Sequence, residues 1–256
     1  MDAASIDLVT ADPVYNINRK YDKCDDSKTP QEYLSWSKDW MSAAHRVLAP
    51  DGSFWCAISD HYVSELDVLA KSLGFYKRGH CVWAFGFGVN QAKNFTRATT
   101  HWLYYTKHKK NFTFNSHAPG LRVPSARLLE YKDKRANPDG RLPDNLWVLR
   151  GQDWLLRMLE IEGALPAAAD VWCSSRICGS FNARAEGVDN QLPEEITTRI
   201  VTATAHPGRT VLDPHCGFST FGVSALKFGC NFIGIDNSER MIELSRKRLD
   251  DTLASL

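Results

Sequence analysis

Two short apolar runs in this chain break off at the same dipeptide: Ser5–Ala11 stops at Asp12-Pro13, and Thr210–Leu212 at Asp213-Pro214. Each reads as a short strand that ends in an acid and opens into a loop, since proline has no N–H with which to continue a ladder. Between and around them, strand and helix signals alternate. A helix is predicted from about Thr29 to Ala49, with Thr29 as its cap, Pro30 at its first position and Glu32 three residues after the cap. Pro50-Asp51-Gly52 reads as a turn, Ser53–Ile58 as a strand, and Asp60–Leu73 as a helix closed by Gly74. Strands are expected near His80–Phe85, His101–Thr106 and Phe112–Asn115. Later come helices at Pro193–Ala205, Thr220–Phe228 and Ser238–Leu249, with a strand at Asn231–Ile235. Such alternation predicts an α/β fold with a doubly wound, mostly parallel sheet and a ligand crevice at the strand ends.

The stretch 116–169 breaks the rhythm. It is rich in Pro, Arg, Lys and Asp, and reads as a mostly irregular insertion with a helix at Gln152–Ile161. The domain is thereby divided into a first half, 1–115, the insertion, 116–169, and a second half, 170–256. The formal net charge is only +1, yet Lys107 to Arg157 holds eleven Lys/Arg against five Asp/Glu. That local excess suits either phosphate contact or a solvated surface. A hydrophobic content of 43% excludes wholesale disorder. Seven cysteines without a CxxC pair fit free thiols in a reducing cytoplasm better than disulfides, and Cys173 with Cys178 lacks the second cluster a zinc site needs. No run of about 18 apolar residues can span a bilayer, and no signal peptide is expected.

Chemistry concentrates at the two acid-ended strands. After Asp213 comes a loop, His215-Cys216-Gly217-Phe218-Ser219-Thr220, then a helix, then a second strand ending at Asp236. An acid about 20 residues past a nucleoside-binding loop is placed to grip ribose hydroxyls, and the spacing alone also allows a dinucleotide site. At the other end, Asp12-Pro13-Val14-Tyr15 offers a carboxylate and the Pro13 carbonyl as two acceptors for an amino group. Two such acceptors localise the lone pair of an aromatic amine and stabilise the charge that develops on it. Tyr15 offers a face for a flat base turned out of a duplex. Taken singly, each string also fits an ordinary strand-ending turn.

In combination and order, these motifs resemble the β class of amino-directed DNA methyltransferases, across nearly the whole chain. Val9–Asn16 resembles the Asp-Pro-Pro-Tyr catalytic motif, Val211–Thr220 the LDPFxGxGT cofactor loop, and Phe232–Asp236 the strand with the ribose acid. Asn190-Gln191-Leu192-Pro193-Glu194 is similar to the segment before the cofactor helix. Asp170-Val171-Trp172 and Lys134–Pro138 also look like the family. The resemblance implies a Rossmann-like methyltransferase fold and S-adenosylmethionine held by Asp213, Pro214, His215, Cys216, Gly217, Thr220, Asp236, Asn190, Gln191 and Pro193. It implies catalysis by Asp12, Pro13 and Tyr15, with direct transfer and no covalent enzyme intermediate. Asp rather than Ser at position 12 favours adenine N6 over cytosine N4.

The insertion is the expected target-recognition segment, with Arg122, Arg127, Lys132, Lys134, Arg135 and Arg141 as candidate contacts to double-stranded DNA. Trp147 and Trp154 are expected in the core. A homodimer is compatible with this reading. No nuclease motif is visible, so any restriction partner is expected as a separate chain. Val14 stands in place of a second proline, His215 in place of an aromatic Phe, and Phe218 and Ser219 in place of a small residue and the second glycine. If that glycine has positive φ, Ser219 strains the loop. The family's earlier strand ending in Gly-Asp, whose acid helps bind the cofactor adenine, is not found before the catalytic strand. These departures leave two other readings open, a weak or inactive DNA-binding relative and a cytosine-N4 enzyme.

Overall fold

The computed structural model describes residues 1–21, 23–85, 92–118, 120–123, 125–129, 131–149, 188 and 190–256. Its order is β1 (Ile6–Ala11), α1 (Pro30–Val47), β2 (Leu48–Ile58), α2 (Val63–Ser72), β3 (Tyr76–Phe85), β4 (Thr99–Thr106), the single turn α3 (Ala126–Leu129) and β5 (Leu146–Leu149). There follow α4 (Glu194–Thr204), β6 (Thr210–Asp213), α5 (Thr220–Lys227), β7 (Asn231–Gly234) and α6 (Glu239–Ala254). These strands form one sheet in the order β5-β3-β4-β2-β1-β6-β7. Among them β4 runs against its neighbours, β2 and β3, and the other pairings are parallel.

Local chemistry accounts for the elements. At the start of α1, the Glu32 backbone N–H donates to Thr29 Oγ1 and the Glu32 carboxylate accepts from the Thr29 N–H at 2.9 Å. This reciprocal cap satisfies two donors that the helix cannot, and Pro30 fits where no N–H is needed. Tyr33, Ser37, Met41, Ala44 and Val47 recur at three- and four-residue spacing and form the buried face. In β2, Phe54, Cys56 and Ile58 enter the core on one side of the sheet with α1 and α2, while Trp55 and Ala57 enter the other with Ile196, Ile200 and Phe221. A strand buried on both faces is the signature of a sheet covered by helices on each side.

Three expectations are corrected. Pro50-Asp51-Gly52 does not separate α1 from the strand as a free turn. Strand β2 begins at Leu48, and its register with β1 jumps from Ile6↔Leu48 to Leu8↔Ser53, so β2 absorbs three extra residues as a bulge. Gly52 is required there, since a Cβ would meet Leu48 Cδ1 at 2.7 Å and the Asp7 carbonyl at 2.9 Å. Phe112–Asn115 is no strand. Its N–H groups serve as links, Thr113 to the Asp51 carbonyl at 2.9 Å and Asn115 to the Ala203 carbonyl at 2.8 Å. Within the insertion, Leu146–Leu149 joins the sheet edge beside β3, a pairing with no local sequence signal. Gln152–Ile161, Trp154, Asp170–Trp172, Cys173 and Cys178 lie outside the described residues, as does the side chain of Trp147. Among the described residues no helix is long and apolar enough to cross a membrane, and no group of three or more His, Cys, Asp or Glu could hold a metal.

Candidate active site

From β1 the chain moves to β2 on one side, and from β6 to β7 on the other, yet β1 and β6 are neighbours. This is the point where strand order reverses, and a crevice opens there beyond the strands' carboxyl ends. Asp12 follows the last residue of β1, Asp213 ends β6, and Asp236 lies just past β7. Because these strands are parallel, the three acids converge at the carboxyl-terminal side of the sheet.

Their surroundings tune them. Burial pushes the Asp12 carboxyl up to about 6, against the Tyr15 hydroxyl and the Arg19 charge, which pull it down. Tyr15 donates to Asp12 Oδ1 at 2.6 Å, and burial with the Asp12 charge raises its own phenol well above the ordinary range. Asp213 is 3% exposed, and burial pushes it up to about 8, helped by the nearby charges of Asp12 and Asp236 and opposed by the His215 N–H, 3.0 Å from its Oδ1. Asp236 accepts from the Gly217 N–H at 2.9 Å and from the Ser238 N–H at 2.8 Å.

The loop after β6 is a tight turn. Cys216 N–H donates to the Ile235 carbonyl at 3.0 Å and Ser219 N–H to the Cys216 carbonyl at 2.6 Å. Gly217 has φ +46°, and Ser219, the N-cap of α5, has φ 53° and ψ 43°. Ser219 thus keeps the left-handed backbone that glycine adopts freely and other residues resist. His215 enters a pocket beside Trp36 and Trp40, with ring centroids at 5.6 and 5.1 Å. Burial holds its pKa down at about 4, so it packs as a neutral aromatic ring.

Val14 is also compensated: its carbonyl accepts from the Tyr33 hydroxyl at 2.9 Å. Sequence reasoning missed what secures the next residues. Asp26, 2% exposed, accepts from the N–H groups of Asn16 (2.6 Å), Ile17 (3.2 Å) and Arg19 (2.8 Å). Asn16, with φ 56°, donates to the Lys28 carbonyl and the Tyr62 hydroxyl at 2.9 and 3.0 Å. An Asx-rich stretch after a strand hints at such a turn, but no local pattern pairs Asp26 with those three amides. The Arg19 guanidinium bonds the Asn190 side chain, joining the first loop to the segment before α4. Gln191 is buried and Pro193 caps α4.

The candidate DNA contacts divide in two. Arg122 staples its own segment, donating to the carbonyls of Ser116 (2.9 Å) and Gly140 (2.8 Å), and Arg141 pairs with Asp144 at 2.6 Å. Arg127, Lys132, Lys134 and Arg135 belong to a more open stretch, Arg135 pairing there with Asp133 at 3.0 Å while Lys132 and Lys134 flank it.

Fold and crevice together define a nucleoside-binding α/β protein of the doubly wound class. Comparison with known proteins narrows this. The chain belongs to the N6/N4 DNA methylase family, whose model matches residues 6–247. It is 28% identical over 247 residues to the type II methyltransferase M.HpaI of Haemophilus parainfluenzae, covering 96% of this chain and 68% of that protein. It is 27% identical over 254 residues to the DNA adenine methyltransferase YhdJ of Escherichia coli (strain K12), covering 97% and 77%. The solved M1.HpyAVI–SAM complex superposes with a TM-score of 0.61 at 16% identity, over 96% of this chain and 89% of that one. At that identity the likeness is one of fold.

Proposed function

We propose that this chain transfers a methyl group from S-adenosylmethionine to the N6 amino group of adenine in double-stranded DNA, acting on a base turned out of the helix. The observation that carries this reading is Asp12, a carboxylate pushed up to about 6 at the switch point of the sheet, oriented by Tyr15 and facing an acid-flanked loop. The residues present suit the cofactor. A crevice in which burial raises Asp213, with the charges of Asp12 and Asp236 adding to the rise, favours a cationic ligand. Each Asp236 oxygen keeps a lone pair after serving one backbone amide, enough to accept from ribose hydroxyls.

When bound, S-adenosylmethionine supplies an electrophilic methyl group. The chain's own residues prepare the amine. The Pro13 carbonyl and Asp12 Oδ2 accept the two amino hydrogens, which draws the nitrogen lone pair out of conjugation. The Tyr15 hydroxyl fixes the carboxylate by occupying Oδ1. Asp12 is ionised at neutral pH and takes the proton that the methylated amine sheds. Asp at position 12 and the likeness to an adenine methyltransferase support adenine over cytosine.

The test incubates the protein with tritiated S-adenosylmethionine and unmethylated genomic DNA, then digests the DNA to nucleosides and separates them. Label on N6-methyldeoxyadenosine is the expected outcome. Label on N4-methyldeoxycytidine overturns the base assignment, and no label without cofactor binding overturns the enzymatic reading.

A further inference from the structure

Left-handed backbone at a residue other than Gly, Asn or Asp persists only where its surroundings over-determine it. Ser219 is such a residue, and it closes the loop Gly217–Ser219 ahead of α5. Two side chains from one face of α6 reach the preceding carbonyls. Ser245, 4% exposed, donates its hydroxyl to the Gly217 carbonyl at 2.6 Å. One turn on, the Arg248 guanidinium donates to the Phe218 carbonyl at 2.9 Å and to Thr220 Oγ1 at 3.1 Å. Its central carbon lies over the Phe218 ring, 4.4 Å from the centroid, and its Nη2 donates to Glu194 of α4 at 3.0 Å.

The two peptide groups that lead into the strained residue are thus gripped in succession. A hydroxyl on a buried helix face has few partners to choose from, and Ser245 selects the carbonyl of the residue that begins the turn. The guanidinium fork bonds three groups from two other segments at once, a geometry that an ammonium cannot match. We propose that Ser245 and Arg248 are positioning residues that clamp the cofactor loop in the left-handed turn which Ser219, in place of glycine, resists. This rests on the reading of that loop as the cofactor site. The clamp lets a serine occupy a position where an unassisted chain needs glycine.

The test is a double-mutant cycle on the full chain. Ser245→Ala and Arg248→Lys are each made in the wild-type background and in the Ser219→Gly background. Two quantities are read: amide exchange across residues 216–221, and affinity for S-adenosylmethionine by calorimetry. With Ser219 present, each change is expected to speed exchange and weaken cofactor binding by about fivefold, raising KM for the cofactor while kcat at saturation stays nearly constant. In the Ser219→Gly background, the same changes should move both quantities by less than about twofold. Ser245→Ala removes one oxygen and Arg248→Lys keeps the charge facing Glu194, so one folded variant suffices to read the coupling. Equal effects in the two backgrounds overturn the clamp. Coupling in amide exchange with cofactor affinity unmoved supports the clamp and instead overturns the assignment of the loop to the cofactor.

Discussion

At the scale of single residues, the acids of the crevice differ in what they hold, and the difference can be measured. Asp12 takes the Tyr15 hydroxyl on Oδ1, so Asp12→Ala leaves the bonds within the cofactor loop intact. Transfer should fall by about a hundred- to a thousandfold, the usual loss for a preorganised polar group at a developing charge, with cofactor affinity nearly unchanged in calorimetry. Wild-type kcat/KM should also decline as pH drops through about 6, where Asp12 gains a proton and ceases to accept. Asp236→Ala is expected to act oppositely. It frees the Gly217 amide and removes the proposed ribose acceptor, so cofactor binding should weaken about tenfold or more. Loss of transfer without loss of binding in that variant would remove Asp236 from the cofactor site. His215 makes a third case. Folding holds it neutral down to about 4, whereas the unfolded chain takes up the proton near 6.5. Its contribution is therefore intact above about 6.5 and lost as pH falls toward 4, at no more than about 1.4 kcal/mol per pH unit. Urea midpoints at pH 7, 6 and 5 should show a shallower decline for His215→Phe than for wild type.

At the scale of elements, the turn proposed as catalytic is held by a loop rather than by its own strand. Asp26 collects three amides of residues 16–19, and Asn16 ties the same stretch to the start of α1 and to Tyr62. Asp26→Ala strips acceptors from three N–H groups at once, each worth about 1–3 kcal/mol when buried. Transfer and melting temperature should both drop, and Asp26→Asn, which keeps one acceptor oxygen, should recover part of each. Equal loss in the two variants would assign the effect to charge rather than to amide capture. Legibility followed the range of the interaction. The cap at Thr29 and the acid-ended strands were readable because the deciding atoms lie within a few residues. The bulge at Pro50–Gly52 and the edge strand Leu146–Leu149 were not, because register is decided by the partner strand. The acids at 12, 213 and 236 were visible at strand ends. Asp26 and Arg248 act through contacts that spacing does not reveal. The sequence marks Ser219 as a strained position only if the glycine it replaces has positive φ, and the side chains that support it lie 26 and 29 residues further on.

At the scale of the whole molecule, near-neutral net charge leaves DNA attraction to a local surface. Arg127, Lys132 and Lys134 stand in the open stretch of the insertion, while Arg122 holds its segment together. Replacing the first three with Ala should lessen the salt dependence of DNA affinity by about 0.9 in log–log slope for each residue that meets a phosphate. Arg122→Ala should instead lower the melting temperature and leave the slope nearly unchanged. Measuring affinity between about 50 and 200 mM salt separates the two. The arrangement of the sheet also governs how the chain comes into being. Strand β1 is made well before one of its two neighbours, β6, which lies about two hundred residues downstream. Until that neighbour emerges from the ribosome, Leu8 and Val9 present an apolar, unpaired edge. Such a distant partner makes assembly slow and leaves the nascent chain dependent on protection against sticking to other chains. Asp12 and Asp213 meet only when that edge is closed, so the crevice cannot form on an incomplete product.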